Sequence, residues 1–303
     1  MTPDILCIGA VLWDIIGRHP HAMPLGADRP GRITCLPGGV AMNIAMALAR
    51  LGLQPALLGC IGNDPDGDDL IKAANALGLN TAHIHRSRQP TDRYMAIEGA
   101  NGLIAAIADA HSLEHAGESI LTALSDGTLG TAQNPWSGPI ALDGNLTDEL
   151  LSTIATSPLF ARADLRIAPA SPGKALRLTP FLRHARATLY LNLEEANLLA
   201  ASSHSTAHDA ADALLTLGAQ HILVTDGANP TADARAGHGV ITAQPQKITA
   251  TRVTGAGDTF MAAHIVATLR GMDRRTALST ALSVAANYVA GHDPDLALLK
   301  GHP

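Results

Sequence analysis

Short apolar runs of strand length alternate along this chain with longer runs of helical period, and this alternation narrows the fold more than any other feature. "DILCIGAVLWD" reads as a buried strand that breaks at Gly9. "GGVAMNIAMALARLG" reads as a helix of about three turns, opened by Gly38-Gly39 and closed by Gly52. "PALLGCIG" returns as a strand, and "PDGDDLIKAANALGLN" is again a helix, with Gly78 near its end. The pattern resumes in "ATLYLNLEEANLLA" and "AADALLTLGAQHILVTDG". It closes with two successive helices, "GAGDTFMAAHIVATLRG" and "DRRTALSTALSVAANYVAG". Strands separated by helices pair in parallel, and a parallel sheet needs helices on both faces. The expected class is α/β.

Composition supports that layering. Of the 303 residues 47% are hydrophobic but only 3% aromatic, so the core is built from Ala, Leu, Ile and Val, which suits close helix-on-sheet packing. A net charge of −6 argues against a nucleic-acid partner held by general electrostatics. A small anionic ligand remains compatible, because backbone amides supply local positive potential. Cys7, Cys35 and Cys60 have no CxxC spacing and indicate neither zinc nor a disulfide framework; Cys7 and Cys60, inside apolar runs, read as buried thiols. The N-terminus has no basic leader, and no stretch approaches the roughly 20 apolar residues of a membrane helix. The expectation is a cytoplasmic protein with neither a membrane nor a nucleic-acid partner.

Two stretches depart from the alternation. Residues 11–37 hold several Pro, Gly and His residues without helical period. Residues 86–109 include "DRYMAIEGANGLIAAIAD", where Asn101-Gly102 between two extended runs marks a hairpin turn. Both read as β-rich excursions from the main sheet within a single domain spanning 1–303. "SDGTLGTAQNPWSG", residues 125–138, reads as a surface loop.

The stretch "VTGAGDTF", Val253 to Phe260, places two glycines and then a carboxylate at the start of an apolar helix. An N-cap or dipole partner accounts for Asp258 alone. Gly255 and Gly257 cost backbone entropy unless the chain needs a positive φ or a close approach to something. A glycine turn running into a helix points backbone N–H groups at one spot, an anion hole suited to a transferred phosphoryl group. Asp258 beside it can accept a proton from an attacking hydroxyl.

Two further motifs bear on the same chemistry. Asn192 and Glu195 form N-x-x-E directly after a strand. Glu194 and Glu195 serve the helix dipole on one reading; on the other, the pair is the sparse oxygen set of a Mg²⁺ site. In "GGVAMNIA", Gly38 and Gly39 allow a ligand near the backbone, and Asn43 is a lone amide on an apolar helix. Either a neighbouring carbonyl satisfies it, or it meets Asp14 across the strand ends, where open α/β sheets bind ligands. Such a pair would suit sugar hydroxyls.

"GGVAMNIAMALARLG", "IGNDPDG", "NLEEANLL" and "VTGAGDTF" occur here in the order found in the ribokinase-like, or pfkB, sugar kinase family, and the resemblance covers essentially the whole chain. It implies a three-layer α/β/α ribokinase-like fold with a mostly parallel central sheet, a small β-sheet lid formed by the two excursions, and dependence on ATP and Mg²⁺. It assigns Asp258 as general base and Gly255, Ala256 and Gly257 as anion hole. Asn192 and Glu195 match the magnesium-associated motif; Asp14, Gly38, Gly39 and Asn43 match sugar-binding positions. Thr254, Gly227 in "LVTDGANP" and Asn287 in the final helix match the nucleotide side, against bland readings of Gly227 as an ordinary turn and Asn287 as a cap for a neighbour.

Within the family the chain resembles pseudouridine kinases in its Val-Thr-Gly-Ala-Gly-Asp form, its lid segment and "LDGNL" at Leu142 to Leu146. Met42 departs from the Arg common in that branch, and Arg252-Val253 replaces the Asp-Thr of most members, which leaves a monovalent cation there open. The function implied is an ATP- and Mg²⁺-dependent kinase of a primary hydroxyl, foremost the 5′-hydroxyl of pseudouridine. A ribose-like sugar, another nucleoside, or a non-catalytic sensor are the alternatives, and a homodimer through the lid is a further expectation.

Overall fold

The computed structural model describes residues 2–249, 251–252 and 254–292; Val253 of the glycine-rich motif lies outside the described residues. The chain begins β1 (Ile5–Ile8), β2 (Leu12–Arg18), β3 (Arg32–Gly38), α1 (Val40–Arg50), β4 (Pro55–Leu58), β5 (Cys60–Gly62), α2 (Pro65–Ala76) and β6 (His85–Ser87). It continues through β7 (Arg93–Gly99), β8 (Gly102–Asp109), α3 (His111–Ala116), β9 (Pro139–Asp143), α4 (Asp148–Thr156) and β10 (Asp164–Ala168). After β11 (Ala187–Asn192), α5 (Leu193–Leu199), α6 (Ala207–Thr216), β12 (His221–Asp226), β13 (Asn229–Arg235) and β14 (Gly239–Ala243), it ends in α7 (Ala256–Leu269) and α8 (Arg274–Val289).

The central sheet has the order β14-β13-β12-β11-β10-β9-β1-β4. Every pairing from β4 to β12 is parallel, and β13 and β14 are antiparallel additions at one edge. Strand side chains alternate between faces, so consecutive residues feed different cores. Leu6 and Ile8 pack with α4, α5 and α6, whereas Ile5 and Cys7 pack with α1, α2, α7 and α8. This is the three-layer α/β/α arrangement. Cys7 and Cys60 are buried as expected, and Cys35 is exposed.

The small second sheet has the order β3-β2-β7-β8 and is built from the two β-rich excursions, with the β7–β8 turn at Ala100-Asn101. Two sequence boundaries move. "PALLGCIG" divides into β4 and β5, and β5 leaves the central sheet to pair with β6. The second lid excursion therefore starts at Arg93 rather than Arg86. Asp64 and Asp92 grip the hairpin's base: Asp64 accepts from the Thr91 N–H (2.8 Å) and hydroxyl (2.6 Å), and Asp92 accepts from the Ser112 N–H (2.9 Å) and Leu113 N–H (3.2 Å). Residues 125–138 form a loop, as expected.

Candidate active site

The carboxyl ends of β1, β9, β10, β11 and β12 open into a cleft of about 580 Å³. The chain runs from β1 to β4 on one side of the sheet and later returns through β9 on the other, so the cleft sits where strand order reverses. Asp14, Gly39, Asn43, Asn192, Glu195, Thr254, Gly255, Ala256, Gly257 and Asp258 all line it. Gly38 is buried at its edge, and a Cβ there would collide with the Asp14 carboxylate.

Helix α7 supplies the centre of the site. Gly255 is its N-cap, with φ of 84°. A Cβ at Gly255 would lie 2.7 Å from the Tyr288 hydroxyl, which donates to the Thr254 carbonyl at 2.9 Å. Around Gly257 a Cβ would meet nothing within 4 Å, so that backbone faces open space. The first N–H groups of α7 have no acceptor within their own helix and lie beside the cleft. From Thr259 to Ala267 the helix is buried, against α1 and α8.

Asp258 is half-buried at the mouth of this helix. Burial pushes its carboxyl up to about 7, the Asn43 amide hydrogen-bonds it and pulls it down, and Asp143, Asp14 and Glu195 add repulsion. Asn43 thus lies beside Asp258 across the α1–α7 contact, and Asn43 and Asp14 line the same cleft. Asp14 is pushed up to about 6 by burial.

Asn192 caps α5, and its N-x-x-E motif closes as a capping box. The structure thus accounts for both residues locally. Glu195 still faces the cleft; burial and Glu194 raise its pKa, and only the Asn192 N–H holds it down. Gly227 is exposed in the β12–β13 turn, with φ of 56°, and Asn287 lies on α8; neither is among the cleft-lining residues. Met42 is fully buried against the sheet, where it serves packing rather than the cleft.

Two groups of the site, one beneath the cleft and one in its wall, were given no role in the sequence reading. Asp143, at the end of β9, is fully buried and accepts from the N–H groups of Ala10 (2.9 Å), Ala41 (2.8 Å) and Asn145 (2.8 Å). It ties β1, the start of α1 and β9 together beneath the site. Burial raises its pKa against those three donors. Lys174 lines the cleft and donates to Asn145 Oδ1; burial, then Arg177, lowers its pKa. The available signals were "LDGNL", read only as a resemblance, which holds Asp143 at the end of β9, and "PGK", which follows β10.

An anion-ready helix start, a carboxylate of raised pKa and a lidded cleft at the strand ends together define a class: sugar-kinase-like α/β proteins built for phosphoryl transfer. The chain belongs to the pfkB family of carbohydrate kinases, which matches residues 2–298. It is 30% identical to the uncharacterized sugar kinase YeiI of Escherichia coli over 94% of this chain and 78% of that protein. It is 26% identical to the pseudouridine kinase of Escherichia coli over 97% of this chain and 94% of that one. Among solved structures, Arabidopsis thaliana ribokinase complexed with ribose and ATP superposes with a TM-score of 0.77 at 20% identity, covering 100% of both chains. The protein is a sugar or nucleoside kinase, a phosphotransferase with an alcohol group as acceptor.

Proposed function

We propose that this kinase transfers the γ-phosphoryl group of ATP, with Mg²⁺, to the primary hydroxyl of a nucleoside, foremost the 5′-hydroxyl of pseudouridine. The observation that carries the catalytic part is Asp258: a carboxylate with a pKa near 7 at the N-terminus of α7, beside the glycine turn. A base poised at the working pH is the efficient one. Asp258 takes the hydroxyl proton as the acceptor oxygen bonds to phosphorus and the bond to the ADP oxygen breaks. The N–H groups at Gly255, Ala256 and Gly257 receive the charge on the transferring group. Asp14, Gly38, Gly39 and Asn43 form the acceptor side, with Asn43 also orienting the base. Thr254, Gly227 and Asn287 belong to the nucleotide side, the last two beyond the cleft wall.

The cleft's charge supports a metal requirement. Asp14, Glu195 and Asp258 line it against the single amine of Lys174, the only Lys or Arg among the described lining residues. A polyanionic nucleotide entering such a cleft needs a divalent cation, which neutralises phosphate charge when bound. Asn192 and Glu195 would hold it through one or two oxygens and waters. A monovalent cation is not required by this reading: the Arg252 guanidinium lies 3.8 Å over the Tyr288 ring and donates to the Tyr288 carbonyl at 2.7 Å.

The lid supports a homodimer. Asp14, Tyr94 and Ala108 point to the cleft from one face of the lid sheet, so Ile15, Ile33, Met95 and Ile107, one residue out of phase, share the other. Ile33 and Ile107 are 76% and 70% exposed, an apolar face suited to a second lid.

The choice of pseudouridine rests on similarity to the pseudouridine kinase of Escherichia coli and on the lid and "LDGNL" segments. A site that hydrogen-bonds a uracil edge rejects a bare sugar, because its polar groups would be left unpaired. The test compares kcat/KM for pseudouridine, ribose, fructose and adenosine. Pseudouridine should lead. If ribose or adenosine leads by about tenfold, roughly 1.4 kcal/mol of transition-state preference, the acceptor assignment falls and the kinase remains.

A further inference from the structure

A second polar cavity, of about 550 Å³, lies at the amino ends of β10, β11 and β12, under α7 and α8, at the opposite end of the sheet from the catalytic cleft. Three of its residues converge. His221 begins β12, Asp233 lies on β13 and His264 on α7, and one ligand atom from each lies within 4.8 Å of the others. We propose that His221, Asp233 and His264 bind one divalent transition-metal ion, Zn²⁺ by preference, at a site separate from the kinase centre and independent of the acceptor reading.

The strongest support is an atom left over. Asp233 is fully buried, and its Oδ1 already accepts from His221 Nε2 (3.0 Å) and Arg274 Nε (2.9 Å). Its Oδ2 is buried with no hydrogen-bond partner. An orphaned carboxylate oxygen in such a place calls for a cation or a donor. The guanidiniums nearby do not fill that role: Arg166 is held by both oxygens of Asp164, and Arg274 by Oδ1 and carbonyls.

The far side of each ligand is also provided for. His264 Nδ1 lies 2.8 Å from the Tyr190 hydroxyl, and His221 Nδ1 lies 3.2 Å from the Thr188 hydroxyl. Ligating imidazoles characteristically donate their other ring N–H to a fixed partner, which sets tautomer and orientation. Binding needs the Nδ1–H tautomer of both rings, with the two hydroxyls as acceptors and Nε2 free for metal. The rings stand 6.0 Å apart at 68°. Zn–N bonds of about 2.0–2.1 Å require the donors to close in by side-chain rotation, with the cavity supplying a water as fourth ligand. Two imidazoles and one carboxylate suit Zn²⁺, whereas Mg²⁺ prefers an all-oxygen octahedron.

The test uses the full-length chain stripped with EDTA and titrated with Co²⁺, reading the visible d–d absorption of the bound ion. Competition with a chromophoric chelator then reports Zn²⁺ affinity. One ion per chain is expected, with Mg²⁺ in large excess failing to displace it. His221→Gln, at the cavity mouth, should weaken Zn²⁺ at least about tenfold while circular dichroism and Mg²⁺–ATP turnover stay unchanged. Asp233→Asn should weaken it likewise, a second variant should the first perturb folding. If the stripped chain binds no Co²⁺ or Zn²⁺, the proposal is overturned. Equal affinity in wild type and a folded His221→Gln overturns it equally, and leaves the cluster as a hydrogen-bond network around Asp233.

Discussion

Glu195 and Asn192 bond each other twice: Glu195 Oε2 accepts from the Asn192 N–H at 2.8 Å, and Asn192 Oδ1 accepts from the Glu195 N–H at 2.8 Å. The box serves the backbone while leaving the rest of the carboxylate in the cleft wall. Structural and metal-associated roles can therefore be separated by a substitution that keeps the first.

Glu195→Gln retains an oxygen for the Asn192 N–H, so α5 should keep its cap and the melting temperature should change little. The Mg²⁺ concentration for half-maximal rate should rise severalfold, with acceptor KM little changed. A Mg²⁺ titration that superposes on wild type would leave only the cap. Asn192→Ala, which removes the side-chain half of the box, should instead destabilise by about 1 kcal/mol.

Asp258→Asn preserves shape and removes the base, so kcat should fall at least about 100-fold while ATP binding persists. The pH profile is a second readout. With the folded pKa raised to about 7, the wild-type rate should climb as pH rises through 7. Asn43→Ala removes a donor to the ionised form, so its inflection should move to higher pH. Stability has the opposite sign. A raised carboxyl contributes stability that is full below its unfolded pKa, near 3.8, and lost as pH rises through 7. Asp258→Asn should therefore melt higher than wild type at pH 8, with the gap closing towards pH 4.

Gly255→Ala meets both a positive φ of 84° and the Tyr288 hydroxyl. Strain of this kind costs about 1–3 kcal/mol, and the tether to α8 should yield first. Turnover should drop sharply in Gly255→Ala, and Tyr288→Phe, which loses the bond to Thr254, should restore part of the stability. Gly38→Ala presses on Asp14 instead, so acceptor KM should rise more than ATP KM. Equal kinetics for the two variants would contradict this division of the cleft.

The hairpin from Arg93 to Asp109 should close over the cleft when acceptor and a nucleotide analogue bind together, excluding water. Hydrogen exchange should slow in β7 and β8. Slowing should be least at Thr91, whose amide Asp64 already holds. No slowing in β7 or β8 would mean that these strands are not the moving part.

Much of this protein was legible in the chain because its causes are local. Period-2 and period-3.6 apolar patterns placed β1, α1, α2, β11 and the last helices, and Asn101-Gly102 placed the lid turn. Glycines ahead of a carboxylate marked the start of α7. The strands that escaped notice are those whose pattern is interrupted: β10 carries Asp164 and Arg166, paired with each other at 2.7 Å, and so does not read as a buried run. Asp143 appeared only inside "LDGNL", as a resemblance without a role, and Lys174, in the segment after β10, was not read at all.

Partnership was decided elsewhere. Asn43 on α1 and Asp258 on α7 are distant in sequence, and no spacing connects them; they meet because both helices pack on one face of the sheet. Gly227, on the β12–β13 turn, and Asn287, on α8, are not among the residues that line the cleft. Steric and hydrophobic periodicity acts between neighbours along the chain and can be read there. The approach of α1 to α7, which buries a carboxylate and so raises its pKa while setting an amide beside it, follows from closing a whole core around a shared sheet.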